Sequence, residues 1–107
     1  MMKRAAVLTL GFLFMFSVTI LPAFASEMEK GKKIYGDKKC GLCHAIGGKG
    51  GKMGPDLTDV GNQRDHDWLM KFLKNPKEVV PGAKMIAVKG SEEEITSLVD
   101  YMLSLKK

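Results

Sequence analysis

The five residues Cys40-Gly41-Leu42-Cys43-His44 spell C-x-x-C-H, and no other stretch restricts what this chain can become so tightly. Two thiols a short turn apart can each add to a vinyl group of one porphyrin, while the adjoining imidazole reaches the iron from one face. That is the attachment signature of a c-type haem. A Cys pair also occurs in thioredoxin-like redox motifs, in halves of zinc sites and in structural disulfides. Those alternatives lack their remaining parts here: no βαβ pattern surrounds the pair, no second Cys pair completes a zinc tetrahedron, and only His66 is left as a further imidazole. The expected cofactor is one covalent haem c with its iron, held by thioethers to Cys40 and Cys43 and ligated by His44.

Residues 1–25 read as an export leader. Lys3 and Arg4 form the basic start, residues 5–20 are almost wholly apolar, Pro22 breaks the helix, and Ala23-Phe24-Ala25 offers small residues at both recognition positions. The alternative is a retained anchor, because the apolar run approaches the length of a membrane span. With cleavage after Ala25, residues 26–107 form a single domain of 82 residues that has no membrane span and resides in the periplasm. So short a chain buries little apolar surface, and a large flat cofactor at its centre adds to the core. Loss of Lys3 and Arg4 lowers the formal charge from +5 to +3. The haem propionates lower it further, so the composition does not point to nucleic acid.

Met28, Gly31, Ile34 and Tyr35 recur at helical spacing behind Ser26, a candidate N-cap, and predict a short amphipathic helix. A glycine on its apolar face admits close approach of another helix. Residues 47–57 contain five glycines and read as a loop. Met53 follows Gly51-Lys52 where a Walker A phosphate loop needs Ser or Thr, which removes that reading. Backbone wrapped closely over the porphyrin and its histidine explains the loop better, with the Pro55 carbonyl as candidate acceptor for the second ring N–H of His44.

Asp65 is a candidate cap for a helix over 65–75, in which Trp68, Leu69, Phe72 and Leu73 form one apolar arc and which Asn75-Pro76 ends. Trp68 reads as core, with a haem propionate as one candidate partner for its indole N–H. His66 lies off the arc and reads as a surface residue. Residues 76–90 read as an extended excursion. Ser91 and Glu94 then spell a capping box that opens the clearest helix, where Ile95, Leu98, Val99, Met102 and Leu105 keep the i, i+3, i+4 rhythm.

A haem bound by His44 alone keeps an open face, for which methionine sulfur is the obvious candidate. Met28, Met70 and Met102 sit on predicted helices, where packing accounts for them. Met53 belongs to the loop assigned to the His44 face. Met85 lies in an irregular, proline-bounded stretch far enough along the chain to reach the other one, so Met85 is expected as the distal ligand, with Met53 next.

With these residues in view, the chain resembles the small bacterial class I cytochromes c. The likeness runs through Gly31 and Tyr35, the haem motif, Gly54-Pro55-Asp56-Leu57, Trp68-Leu69, Asn75-Pro76, Pro81-Gly82-Ala83-Lys84-Met85 and Tyr101. It implies an all-α cytochrome c fold: three or more helices around one covalently attached haem, with the N- and C-terminal helices crossing where Gly31 meets Tyr101. It also implies His44 and Met85 as axial ligands and a hydrogen bond from His44 to the Pro55 carbonyl. Ile86 departs from the pattern, since many relatives carry proline after the ligand methionine.

His/Met ligation leaves no iron position for substrate, so the expected function is a non-enzymatic, monomeric carrier that trades one electron with redox protein donors and acceptors. Lys38, Lys39, Lys84 and Lys89 flank the ligand segments and are expected to attract acidic docking surfaces. Two alternatives stand beside it. A labile Met85–iron bond would open the metal to gas binding or peroxidase-like chemistry, and a docked chain would be a fixed subunit of a periplasmic oxidoreductase complex.

Overall fold

The computed structural model describes residues 23–107, with side chains from Ser26 onward. Among the described residues the periodic segments form α1 (Ala23–Asp37), α2 (Val60–Gln63), α3 (His66–Lys74), α4 (Pro76–Val79) and α5 (Glu92–Leu103). Between α1 and α2 lie a single 3₁₀ turn, Cys40–Leu42, and a minimal antiparallel hairpin of β1 (Ala45–Ile46) and β2 (Lys49–Gly50). The expected leader lies outside the described residues over positions 1–22, and the expected cleavage point after Ala25 falls within α1. Ser26 is a correction: α1 is already helical at Ala23, so Ser26 lies inside the helix and does not cap it.

Helices α1 and α5 cross at close range because Gly31 has no side chain. A Cβ there would run into the Ser97 carbonyl oxygen and lie 2.6 Å from Tyr101 Cβ. The rings of Tyr35 and Tyr101 pack beside this contact with centroids 5.7 Å apart. Ser97 is fully buried, and its hydroxyl donates to the Glu27 carboxylate at 2.6 Å, so α1 satisfies the polar group that α5 buries. Around the crossing gather Ile34 from α1, Leu57 and Val60 at α2, Leu69 and Leu73 from α3, and Ile95, Leu98, Val99 and Met102 from α5. Burying each such aliphatic side chain contributes about 1.5–3 kcal/mol.

Asp65 caps α3, its carboxylate accepting from the Trp68 N–H at 2.8 Å. Asn75-Pro76 ends that helix, but Pro76 then opens α4, where the missing proline N–H would have been unpaired anyway. The reading of residues 76–90 as extended throughout is thus corrected over Pro76–Val79. In α5, Ser91 Oγ accepts from the Glu94 N–H at 3.1 Å and the Glu94 carboxylate accepts from the Ser91 N–H at 3.3 Å, a reciprocal capping box. The helix ends at Leu103, a little short of the apolar rhythm, and Leu105 packs on the core from the tail.

The Ser91 bonds, chiefly that from its backbone, hold the Glu94 carboxyl below the usual range. Their contribution is therefore full above the ordinary glutamate pKa and is lost as pH falls through the lowered folded value. Ser91→Ala is expected to cost about 1 kcal/mol, seen as a lower urea midpoint at unchanged slope.

Candidate haem site

Lys39 ends α1 by turning left-handed, with φ 57° and ψ 34°, and delivers the chain into the 3₁₀ turn that begins at Cys40. The Cys43 and His44 N–H groups both donate to the Cys40 carbonyl, at 3.2 and 3.1 Å. One tight turn thus carries both thiols and the imidazole. Cys40 is half-buried, which pushes its thiol up from the ordinary value, while Cys43 is exposed; neither is in a disulfide.

His44 Nδ1 lies 2.7 Å from the Pro55 carbonyl oxygen. A carbonyl can only accept, so Nδ1 carries the proton and Nε2 is left with the lone pair that a metal needs. The segment after His44 returns to cover it. Gly47 and Gly48, at φ 60° and 80°, make the hairpin turn. The Gly51 N–H donates to the Gly41 carbonyl at 2.9 Å, and the Gly54 N–H to the Cys43 carbonyl at 2.7 Å. The expectation that residues 47–57 hold no regular structure is corrected at Lys49–Gly50, which pairs with β1.

A Cβ at Gly54 would lie 2.5 Å from His44 Cε1 and 2.8 Å from Nδ1. Gly54→Ala is expected to push the ring away from Pro55 and to destabilise the protein by about 1–3 kcal/mol. Denaturant unfolding of the haem-loaded protein measures the loss. Its reduction potential should move as well, because the bond that tunes ligand basicity is broken.

Met85 is half-buried in the extended segment after α4 and packs on the core, beside a cleft of about 320 Å³ that Asn75, Pro76, Lys84 and Ile86 also line. Met53 is 89% exposed, whereas Met102 is buried in α5 and Met70 packs on the core from α3. Trp68 is half-buried between the Arg64 guanidinium, 4.0 Å from a ring centroid, and Phe72, stacked at 4.8 Å. His66 is exposed, 3.7 Å from Asp67.

These residues fit a covalent haem. Two sulfurs and a ring nitrogen project from one turn, and the apolar side chains of Leu42 and Ile86, 71% and 84% exposed, suit the face of a porphyrin. The Tyr35 hydroxyl oxygen is screened from solvent and has no hydrogen-bond partner among the described residues, and burial pushes its pKa up to about 12. A buried polar atom of this kind normally has a partner. In the sequence Tyr35 reads as part of an apolar face and of the family likeness, with no role for its hydroxyl; the available signal is a tyrosine at a position where phenylalanine would pack equally well.

Residues 28–106 match the cytochrome c family. The chain belongs to that family. The cytochrome is 27% identical over 112 residues to the cytochrome c2 of Blastochloris viridis, a match that covers 84% of this chain and 87% of the relative. Its identity to the cytochrome c of Cochliobolus lunatus is 31% over 80 residues, covering 55% and 73%. Cytochrome c oxidase subunit 2 of Alkalihalophilus pseudofirmus is 29% identical over 87 residues, 73% of this chain but 25% of that subunit. No solved structure matches. As a member of the family, this cytochrome binds haem c covalently and transfers electrons to redox partners. Among the described residues no helix is long and apolar enough to cross a membrane.

Proposed function

We propose that this cytochrome is a diffusible periplasmic carrier of single electrons, released by cleavage after Ala25, with His44 and Met85 as the axial ligands of its iron. The observation that carries the reading is the 2.7 Å contact between His44 Nδ1 and the Pro55 carbonyl, which leaves Nε2 for the metal. When bound, the haem supplies a one-electron couple at its iron. Cys40 and Cys43 hold it by thioethers, and Pro55 keeps His44 in one tautomer and raises the basicity of Nε2. Met85 contributes a soft neutral sulfur, which favours the ferrous state over what a second histidine would give. The Trp68 indole N–H is the candidate donor to a propionate. With both axial positions filled by the protein, the chain binds no substrate at the metal and acts as a carrier.

Lys38, Lys39, Lys84 and Lys89 are exposed and suit brief encounters with acidic partner surfaces. The cytochrome works as a monomer in this reading. Its address outside the cytoplasm rests on the leader pattern and on the likeness to a bacterial cytochrome c2. The likeness to an oxidase subunit favours a second reading, a fixed electron-transfer subunit of a larger oxidoreductase.

Absorption spectra of the exported protein test the ligation. A low-spin haem is expected in both oxidation states, with the weak far-red ferric band of methionine coordination and no carbon monoxide uptake by the ferrous protein at neutral pH. Colourless protein overturns the haem, a ferric spectrum without the far-red band overturns Met85, and immediate carbon monoxide binding overturns a stable Met85–iron bond. Purification as a stoichiometric complex with an enzyme selects the subunit reading.

A further inference from the structure

The segment that carries Met85 is fastened at few points. Before it, the Ala83 N–H donates to the Val80 carbonyl at 2.9 Å; after it, the Val88 N–H donates to the Leu73 carbonyl at 2.8 Å. Among the described residues, positions 84–87 make no backbone hydrogen bond between these two. The next carbonyl, that of Lys89, accepts from Lys38 Nζ at 2.5 Å, a contact spanning 51 residues of sequence. The Lys38 backbone is itself well fixed. Its N–H closes on the Ile34 carbonyl at 2.9 Å at the end of α1, and the left-handed Lys39 follows it just ahead of Cys40.

We propose that Lys38 is a positioning residue for Met85. By holding the Lys89 carbonyl it ties the distal segment to the turn that leads into the haem motif, and so sets how readily the Met85 sulfur leaves the iron. The inference rests on the reading of Met85 as a ligand. Lysine suits the task because a charged N–H makes a stronger bond to a carbonyl than a neutral donor does, and its long stem bridges between segments. Lys38 also faces Glu94, whose carboxyl its charge helps to lower, so the test must separate the carbonyl bond from that attraction.

The probe is imidazole added to the ferric, haem-loaded protein, with its uptake limited by release of Met85. Lys38→Met is expected to raise the uptake rate about fivefold, the effect of losing one charged hydrogen bond discounted for its exposure to solvent. Lys38→Arg should return the rate close to that of the parent, because guanidinium N–H groups also donate. Lys30→Met removes a like charge from α1, at a lysine paired with Glu93 instead, and should leave the rate unchanged. Glu94→Gln should also leave it unchanged, since glutamine keeps the capping box.

The proposal is overturned if Lys38→Met takes up imidazole at the parent rate, even with lowered stability. It is equally overturned if Lys30→Met or Glu94→Gln raises the rate as much. Should Lys38→Met fail to accumulate, Lys38→Gln, a shorter neutral donor, is read against the same controls. A parent ferric spectrum without the far-red band sinks the Met85 assignment itself, which keeps the two failures apart.

Discussion

Met85→Ala is expected to leave the ferrous protein binding carbon monoxide readily and to lower the reduction potential by on the order of 0.1 V, within the roughly 0.8 V that axial ligands span. Alanine has no donor atom, and losing the soft sulfur removes its preference for the ferrous state. The fold should survive, because Met85 packs on the core from outside the buried set. Met53, 89% exposed but on the loop that follows His44, is the next sulfur to test. A far-red band that persists in Met85→Ala and vanishes in the Met53/Met85 double variant would assign Met53. An unchanged spectrum in both would place the distal ligand elsewhere.

Gly31→Ala carries the largest expected cost in stability. The new methyl would meet the Ser97 backbone on one side and Tyr101 Cβ at 2.6 Å on the other, and neither can swing aside as the tip of a flexible side chain would. Overpacking against fixed atoms belongs at the upper end of the usual range, about 3 kcal/mol. That is a large share of the roughly 5–15 kcal/mol typical of a whole domain, and it corresponds to a fall in Tm of roughly 12–24 °C. Gly36→Ala in the same helix is the control. A Cβ there meets nothing within 4 Å, so the better helix former should leave stability unchanged or raise it by up to about 1 kcal/mol. If the two substitutions shift the urea midpoint alike, close approach is not the reason for Gly31.

What could be read in the residues follows the range of the forces involved. The capping box at Ser91 and Glu94 and the cap at Asp65 are local, and both are found where the side-chain chemistry put them. The cytochrome c fold and the crossing at Gly31 and Tyr101 came with the family resemblance, since a close approach between distant segments leaves no periodic trace. Helix α4 was missed because four residues are too few to show a period and Pro76 argued for a break. The hairpin at residues 45–50 was hidden by its glycines, which look like loop whether or not two residues pair. In the site, C-x-x-C-H picks out Cys40, Cys43 and His44, which the structure carries on one turn. The solvent-screened Tyr35 hydroxyl and the Lys38–Lys89 bond had no such signature, because both depend on which segments the fold brings together.

The meeting of α1 with α5 encloses most of the polypeptide in one ring closed without a covalent link, with Glu27 and Ser97 joined across 70 residues. Closing a ring of that size costs about 4 kcal/mol in chain entropy, and this must be met before the buried contacts of the two helices count in full. Once it is closed, a single protease nick in the exposed Pro81-Gly82 bend would yield two pieces that stay together. One piece would carry the haem motif and the other the proposed ligand Met85, so that, if Met85 binds the iron, the metal's two faces would belong to separate polypeptides.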